Sequence, residues 1–199
     1  LELRRIIYHS LREQGDGAAA DRYLSWRQFR DSGEPLILLI AGAPGTGKST
    51  MASELAYRLS VVRTQSTDMM RELIRCYLGP EAAPTLGYSS FEAWRGLLDH
   101  EPVLAAAASP SRVVAGFLSQ FRDMKAGLEA TIQRAVKERQ DLIVDGVYVL
   151  SPELDLADVQ STALVVPIML VLATREELAS RFAVRGEEQP GRGASRYLQ

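Results

Sequence analysis

Eight consecutive residues near the start of the sequence have the types and spacing of a phosphate-binding loop. They match the pattern G-x-x-x-x-G-K-[ST] at every position. Glycine tolerates positive φ angles, so successive backbone N–H groups can point at one anion, and a helix starting near Lys48 would add its partial positive charge. Lys48 is expected to reach the β- and γ-phosphates of ATP. We predict that the loop residues bind this nucleotide: Gly42, Ala43, Pro44, Gly45, Thr46, Gly47, Lys48, Ser49 and Thr50.

A carboxylate that could complete a magnesium site follows a later apolar stretch. The sequence "LIVDG" places Asp145 at the end of an expected strand. In sites with this kind of loop, Mg²⁺ is bound by the loop hydroxyl and by an acid that ends a neighbouring strand. The other interpretation of Asp145 is a strand-end residue that caps the turn at Gly146. Because the loop creates a need for such an acid, we predict that Ser49 and Asp145 bind Mg²⁺.

The stretch "TQSTDMMRELIR", residues 64–75, combines an acid with two arginines at the start of an expected helix. Ligands of open α/β sheets bind outside the carboxyl ends of the strands, so Asp68 could orient an attacking hydroxyl there. Arg71 and Arg75 are one turn apart on one helix face, and their planar guanidinium groups suit a carboxylate or phosphate. We predict that these three residues bind the acceptor of a phosphoryl group. The alternatives are that Asp68 caps its helix and that either arginine pairs with Glu72.

Three further arginines near the end of the sequence could contribute to a lid. Arg181 and Arg185 are also one turn apart, and Arg192 follows in "GEEQPGRG". Guanidinium groups that close over the γ-phosphate would stabilise the negative charge developing on it. We predict this catalytic role for Arg181 and Arg185, whereas Arg192 fits a lid and a plain surface position equally well. Arginines near a helix C-terminus are favourable there in any case.

The elements that must position these residues are strands separated by helices. Apolar runs predict strands at Leu36–Ile40, in "VVRTQST", at "LIVD" and at "IMLVL", and Pro167 before the last one argues against pairing across the whole apolar run. Amphipathic helices are predicted after the loop, with Met51, Leu55 and Leu59 on one face, and from Arg112 to about Gln140. The predicted buried face of the second helix consists of Val113, Phe117, Phe121, Met124, Leu128, Ile132 and Ala135.

Capping patterns predict two more helices, one from Ser89 with Glu92 as the capping-box partner, and one from Ser151 with Pro152 in its first turn. Residues 1–34 read as two polar helices broken by "GDGAAAD". This alternation predicts an α/β fold with three layers, a mainly parallel sheet and a helical N-terminal extension, in the manner of P-loop NTPases.

Composition excludes several other classes of protein. The chain has 199 residues, 46% of them hydrophobic and 24% charged, and a net charge of −2, which fits one globular domain and gives no sign of nucleic-acid binding. Its longest apolar run, residues 163–173, is about half of the ~20 residues that a membrane helix needs. The single cysteine, Cys76, allows no internal disulfide. We expect a cytoplasmic protein that binds a small molecule rather than a membrane or nucleic acid; no oligomeric state is indicated.

The motifs together resemble one family of P-loop kinases, the 2-phosphoglycerate kinases. The resemblance rests on "GAPGTGKST", "STDMMRELIR", "PTLGYSSFEAW", "GFLSQFRDMKAGLEATIQRAV", "LIVDGVYVL" and "SRFAVRGEEQPGRGASRYL", and covers the chain from about Pro35 onward. It implies transfer of the γ-phosphate of ATP to the 3-hydroxyl of 2-phosphoglycerate, which gives 2,3-bisphosphoglycerate. Asp145 and Tyr148 depart from the pattern, since the family more often has Glu and His at these positions.

The resemblance also suggests how the chain divides. Residues 35–199 would form the kinase domain, incomplete at its C-terminal end, and residues 1–34 could be the tail of an N-terminal regulatory module. The first residue is Leu1 rather than Met, which fits a piece of a longer protein. Two alternatives remain open: a kinase for another acceptor, such as a nucleoside, a sugar or a phosphorylated inositol, and a module that senses ATP without catalysis.

Overall fold

Strands and helices alternate along the chain in the computed structural model, which describes residues 2–98, 109–149, 153–174, 176–177 and 180. Two 3₁₀ helices, Pro84–Gly87 and Ala93–Leu97, lie between the fourth and fifth α-helices. The strands are β1 Leu36–Gly42, β2 Arg63–Ser66, β3 Leu142–Asp145 and β4 Leu164–Leu170. The helices are α1 Glu2–Glu13, α2 Gly17–Ser32, α3 Lys48–Leu59, α4 Thr67–Leu78, α5 Pro110–Lys137 and α6 Ala157–Gln160.

The strands of the described residues form one parallel sheet in the order β2-β3-β1-β4. Every residue of β1 and β3 is buried, as their uninterrupted apolar sequences predict. Ile40 of β1 and Ser66 of β2 are both in register with Asp145 of β3. Strands β2 and β3 therefore end in one row and β1 ends two residues later, at Gly42, so the segments that follow these strands start at the same edge of the sheet.

Helices cover both faces of this sheet. On one face, Leu36, Leu38 and Ile40 pack with Ala52 of α3 and with Trp26 and Phe29 of α2. On the other, Ile37 and Leu39 pack with α4, α5 and the first 3₁₀ helix. This arrangement confirms the predicted three-layer α/β fold with a parallel sheet.

Helix α5 forms the centre of the larger core, and its predicted apolar face is confirmed. Phe121, Met124, Leu128, Ile132 and Ala135 are buried, and Phe117 is half-buried beside them. In α3, by contrast, Met51 is exposed and Ala52 occupies the buried stripe together with Leu55, Ala56 and Leu59. The prediction is thus confirmed for Leu55 and Leu59 and wrong for Met51, in whose place Ala52 packs against the core.

The prediction that the last strand starts only after Pro167 is wrong. Pro167 lies within β4 and is paired with Leu39 of β1. The backbone N–H of Leu164 donates to Pro35 O of the chain before β1. Because strand residues alternate, the nitrogen of Pro167 faces away from β1. At the edge of the described sheet this position needs no N–H donor, so proline is tolerated there.

The helices predicted from capping patterns also differ from the structure. Ser89 and Glu92 do interact, with 3.2 Å between Ser89 Oγ and Glu92 Oε2, but the helix that follows is the 3₁₀ helix Ala93–Leu97 and not an α-helix. Its backbone is pressed against other segments: a Cβ on Gly96 would lie 2.6 Å from Thr85 N. Ser151 and Pro152 lie outside the described residues, and α6 begins later, where Asp155 Oδ1 accepts from the Ala157 N–H.

The N-terminal helices are both present, as predicted. The break between them is shorter than "GDGAAAD", because Asp16 caps α2 by accepting from Ala19 N and the alanines belong to the helix. Arg30 of α2 pairs with Asp141, which also accepts from Leu36 N at 2.8 Å. The division of the chain at residue 34 stays a prediction. None of the helices among the described residues is long and apolar enough to span a membrane.

The contact between α5 and the second 3₁₀ helix gives a test of this packing. A Cβ on Gly116 would lie 2.0 Å from Trp94 N, so Gly116→Ala must displace backbone and should lower the free energy of unfolding by about 1–3 kcal/mol. The matched control is Gly127→Ala in the same helix, where the nearest atom, Ile74 Cδ1, is 3.5 Å away. Because alanine favours a helix, the control should gain roughly 0.5–1 kcal/mol. Equal effects of the two substitutions in urea denaturation would contradict the described packing.

Candidate active site

The loop between β1 and α3 adopts the conformation that its glycines predict. Gly45 and Gly47 have φ angles of 83° and 90°, in the region that favours glycine. Gly42 has a φ of 150°, and a Cβ there would lie 2.5 Å from Leu170 O. Both conformation and space therefore require glycine at the point where β1 leaves the sheet.

The N-terminus of α3 follows directly on this loop. The helix begins at Lys48, and its N-cap Gly47 offers no side-chain acceptor to the first amides of the helix. These N–H groups and the positive end of the helix dipole make a site for an anion. Lys48 Nζ donates to Ala43 O at 2.8 Å, which folds the ammonium group back over the loop.

A hydrogen bond joins the loop to the neighbouring strand. Ser49 Oγ donates to Asp145 Oδ2 at 2.8 Å, and Asp145 is only 7% exposed. A hydroxyl and a carboxylate are hard oxygen ligands of the kind that Mg²⁺ prefers, and Mg²⁺ commonly takes only one or two protein ligands beside phosphate and water. The described residues contain no cluster of three or more His, Cys, Asp or Glu that could hold another metal. The donor set therefore fits a magnesium ion bound together with a nucleotide.

Helix α4 starts beside this pair. Its N-cap is Ser66, which is in register with Asp145, and Asp68 is an exposed residue of the first turn. The alternative that Asp68 caps the helix is therefore wrong. Thr67 packs so closely on Gly146 that a Cβ there would lie 1.7 Å from Thr67 Oγ1. The start of α4 is thus held against the residue that follows Asp145.

The two arginines of α4 have protein partners in this structure. Arg71 Nη1 donates to Leu86 O and Tyr88 O, both at 3.0 Å, and Arg71 Nη2 lies 3.0 Å from Glu72. Arg75 is more exposed and donates twice to the same Glu72 carboxylate; these hydrogen bonds, and then the negative charge of Glu72, raise the pKa of Arg75. Pairing with Glu72 was the open alternative for these residues. Their predicted contact with an acceptor stays a prediction.

A buried pair that the sequence reading missed lies next to Arg71. Tyr148, three residues after Asp145, is fully buried and donates its hydroxyl proton to Gln120 Oε1 of α5. Burial raises the pKa of Tyr148, and the charge of Asp68 raises it further, whereas Arg71 and a hydrogen bond with Ser90 oppose the shift. The charges of Asp68 and Arg71 thus act on one hydroxyl. One signal in the sequence was a glutamine within the apolar face of α5.

An apolar cleft of about 240 Å³ opens between the loop and α5. It reaches from Pro44 of the loop to Val147, and Ser90 and Phe91 form part of its wall. Ser90 also lies beside the Tyr148 hydroxyl, on which the charges of Asp68 and Arg71 act. The lining consists of Pro44, Ser90, Phe91, Val113, Val114, Phe117 and Val147.

The predicted lid arginines, Arg181, Arg185 and Arg192, lie outside the described residues, and their roles stay predictions. Shortly before them in the chain, Thr174 Oγ1 accepts from the Glu177 N–H at 3.1 Å.

The parallel sheet, the glycine loop at its edge and the Ser49–Asp145 pair define a P-loop NTPase fold. Comparison with known proteins agrees: the family model described as Zeta toxin matches residues 20–93, which include the loop and α4. Within this class, the resemblance to 2-phosphoglycerate kinases is confirmed. The chain is 40% identical to the 2-phosphoglycerate kinase of Pyrococcus furiosus over 92% of its own length and 57% of the relative. It is 37% identical to the 2-phosphoglycerate kinase of Methanopyrus kandleri, over 100% of its own length and 58% of that relative.

A third relative, the 2-phosphoglycerate kinase of Pyrococcus horikoshii, is 38% identical over 92% of this chain and 58% of its own. The chain therefore spans somewhat more than half the length of these relatives.

The loop geometry predicts a specific loss of nucleotide affinity. Replacing Lys48 with alanine removes the ammonium group over the loop and should weaken ATP binding about 10- to 100-fold, the range of hydrogen bonds to charged groups. Titration calorimetry measures this change. Lys137→Ala, at the exposed end of α5, is the matched control and should leave the affinity unchanged. Equal affinities of the Lys48 variant and the parent would contradict a contact between the Lys48 ammonium group and the nucleotide.

Proposed function

We propose that this chain contains the phosphoryl-transfer centre of an ATP-dependent kinase. The acceptor is the hydroxyl of a small anionic molecule, in the first place 2-phosphoglycerate, and the product is then 2,3-bisphosphoglycerate. The observation that carries the proposal is the 2.8 Å hydrogen bond between Ser49 Oγ and Asp145 Oδ2, with the start of α4 held beside it. The similarity to 2-phosphoglycerate kinases supports the choice of acceptor.

At the nucleotide end, the protein binds and orients phosphates. The amides of the loop and of the first turn of α3 converge on the β- and γ-phosphates, and Lys48 moves from Ala43 O to a phosphate oxygen. Ser49 and Asp145 would hold Mg²⁺, which neutralises charge on the β- and γ-oxygens. Phosphoryl transfer requires mainly such positioning and charge stabilisation.

At the acceptor end, Asp68 orients the attacking hydroxyl. The hydroxyl oxygen forms a bond to the γ-phosphorus while the bond to the β-phosphate oxygen breaks, and ADP leaves. The hydroxyl proton passes to the Asp68 carboxylate, which is exposed at the row of strand ends. Arg75, whose described ion pair with Glu72 lies on the exposed surface, can exchange that partner for an anionic group of the acceptor.

The cleft favours a small acceptor over a nucleoside. Its volume of about 240 Å³ lies below the roughly 300–1,000 Å³ that sites for drug-sized ligands occupy. Phe91, Phe117 and Val113 would exclude water from the γ-phosphate and so limit wasteful hydrolysis. A three-carbon phosphorylated acid is small enough for this space; because no lining side chain is charged, its anionic groups would have to be bound by α4, outside the cleft.

A panel of acceptors in a coupled assay for ADP release tests the proposal. We expect turnover with 2-phosphoglycerate, slower turnover with other phosphorylated hydroxy acids, and none with nucleosides or sugars. Turnover with a sugar or a nucleoside alone would identify a different kinase. ATP binding without turnover for any acceptor would identify an ATP-sensing module.

The role of Asp68 gives the sharpest prediction. Asp68→Asn keeps the size of the side chain and removes its charge, so kcat should fall about 10²- to 10⁴-fold, as for loss of a general base. ATP affinity should be unchanged, because the loop and α3 are untouched. Asp21→Asn, an exposed aspartate of α2, is the matched control. Full activity of the Asp68 variant would take Asp68 out of the mechanism.

A further inference from the structure

The wall of the cleft is held by side chains rather than by a regular backbone ladder. We call residues 84–97 the cleft segment; it contains both 3₁₀ helices and supplies Ser90 and Phe91 to the cleft. Gln120 Nε2 donates to Thr85 O at 2.7 Å and to Tyr88 O at 3.0 Å. Arg71 also donates to Tyr88 O. Two helices, α4 and α5, thus bind the same carbonyl of the cleft segment.

The orientation of the Gln120 amide follows from these partners. Carbonyl oxygens only accept hydrogen bonds, so the amide nitrogen must face Thr85 and Tyr88. The amide oxygen then points the other way, where the Tyr148 hydroxyl donates to it. Gln120 and Tyr148 are both fully buried, so neither can replace the other with water. The two carbonyls therefore fix which way the Gln120 amide points, and the Tyr148 hydroxyl satisfies the amide oxygen that is buried on the other side.

Packing alone does not require this hydroxyl. The Tyr148 ring stacks on Phe117 with 5.1 Å between ring centroids and an interplanar angle of 12°, and the centroid of the Phe121 ring is 6.5 Å away. A phenylalanine would keep these contacts. A polar pair inside an otherwise apolar core is costly unless every group is satisfied, so its benefit must lie in specifying one arrangement.

We propose that Gln120 and Tyr148 are positioning residues that hold the cleft segment as the acceptor's wall and link it to the strand that ends in Asp145. The identity of the ligand rests on the proposed kinase function, whereas the hydrogen-bonded connection between the cleft segment and Tyr148 does not. Tyr148 follows Asp145 by three residues, so the segment is set in place relative to the magnesium ligand. Arg71, on the same helix as Asp68, completes the link from the acceptor side.

Two variants separate positioning from packing. Tyr148→Phe removes only the donor to Gln120 Oε1 and should lower kcat/KM for the acceptor roughly tenfold through a higher acceptor KM. Gln120→Glu keeps the size of the side chain and the oxygen that accepts from Tyr148, but places a second oxygen against the carbonyls of Thr85 and Tyr88. We expect kcat/KM for the acceptor to fall about 10- to 100-fold. In both, the KM for ATP should stay constant. Tyr57→Phe and Gln133→Glu, at exposed positions, are matched controls and should change nothing.

Amide hydrogen exchange provides a readout that needs no activity. The amides of Tyr88, Glu92 and Arg95 are hydrogen-bonded within the cleft segment, and that of Leu86 donates to Ala83 O just before it. In both variants they should exchange faster than in the parent, while the amides of β1 and α3 keep their protection. A general loss of protection and a lower melting temperature would show a merely structural role and overturn the inference.

Two other outcomes also contradict it: unchanged exchange in the cleft segment, or faster exchange with an unchanged acceptor KM. If the parent protein transfers phosphate to no acceptor, the proposed function fails, and hydrogen exchange still decides whether Gln120 and Tyr148 hold the segment.

Discussion

The hydrogen bond between Ser49 and Asp145 depends on the parallel pairing of β1 with β3. Ile40 is in register with Asp145, and the Gly146 N–H extends the pairing by donating to Ile40 O at 3.0 Å. A slip of one residue would turn Asp145 to the other face of the sheet. Burial of both strands fixes the register, because each contributes apolar side chains to the cores on both faces. The hydrophobic core thus sets the distance between the two predicted magnesium ligands.

The acceptor side is built on the same row of strand ends but held differently. Strand β2 has only four residues, none of them buried, so it contributes little to the core. The position of α4 comes instead from contacts after β3, where Thr67 packs on Gly146, and from Arg71, which binds two carbonyls of the cleft segment. Polar side chains therefore define the acceptor side, whereas backbone pairing defines the nucleotide side. Substitutions on the acceptor side could then alter specificity without unfolding the nucleotide loop.

The sequence predicted what depends on local pattern. The glycine loop, the buried strands and the long apolar face of α5 are recognisable because each follows from spacing and residue type alone. Pro167 was misread because the proline rule depends on a strand's place in the sheet, which no local pattern reveals. The partners of Arg71 and Gln120 were missed for a related reason: they are carbonyls 15 to 35 residues away in the chain. Asp68, by contrast, was correctly expected at the row of strand ends, although its role remains a proposal.

The metal dependence of ATP affinity tests the central claim most directly. Calorimetric titration with ATP in the presence of Mg²⁺ and in excess chelator gives the increment in affinity that the metal contributes. If Ser49 and Asp145 jointly hold the ion, the parent protein should show a clear increment, and Asp145→Asn should abolish it while metal-free ATP binds equally well to both. An undiminished increment in the Asp145 variant would contradict the account, because the metal would then be held elsewhere.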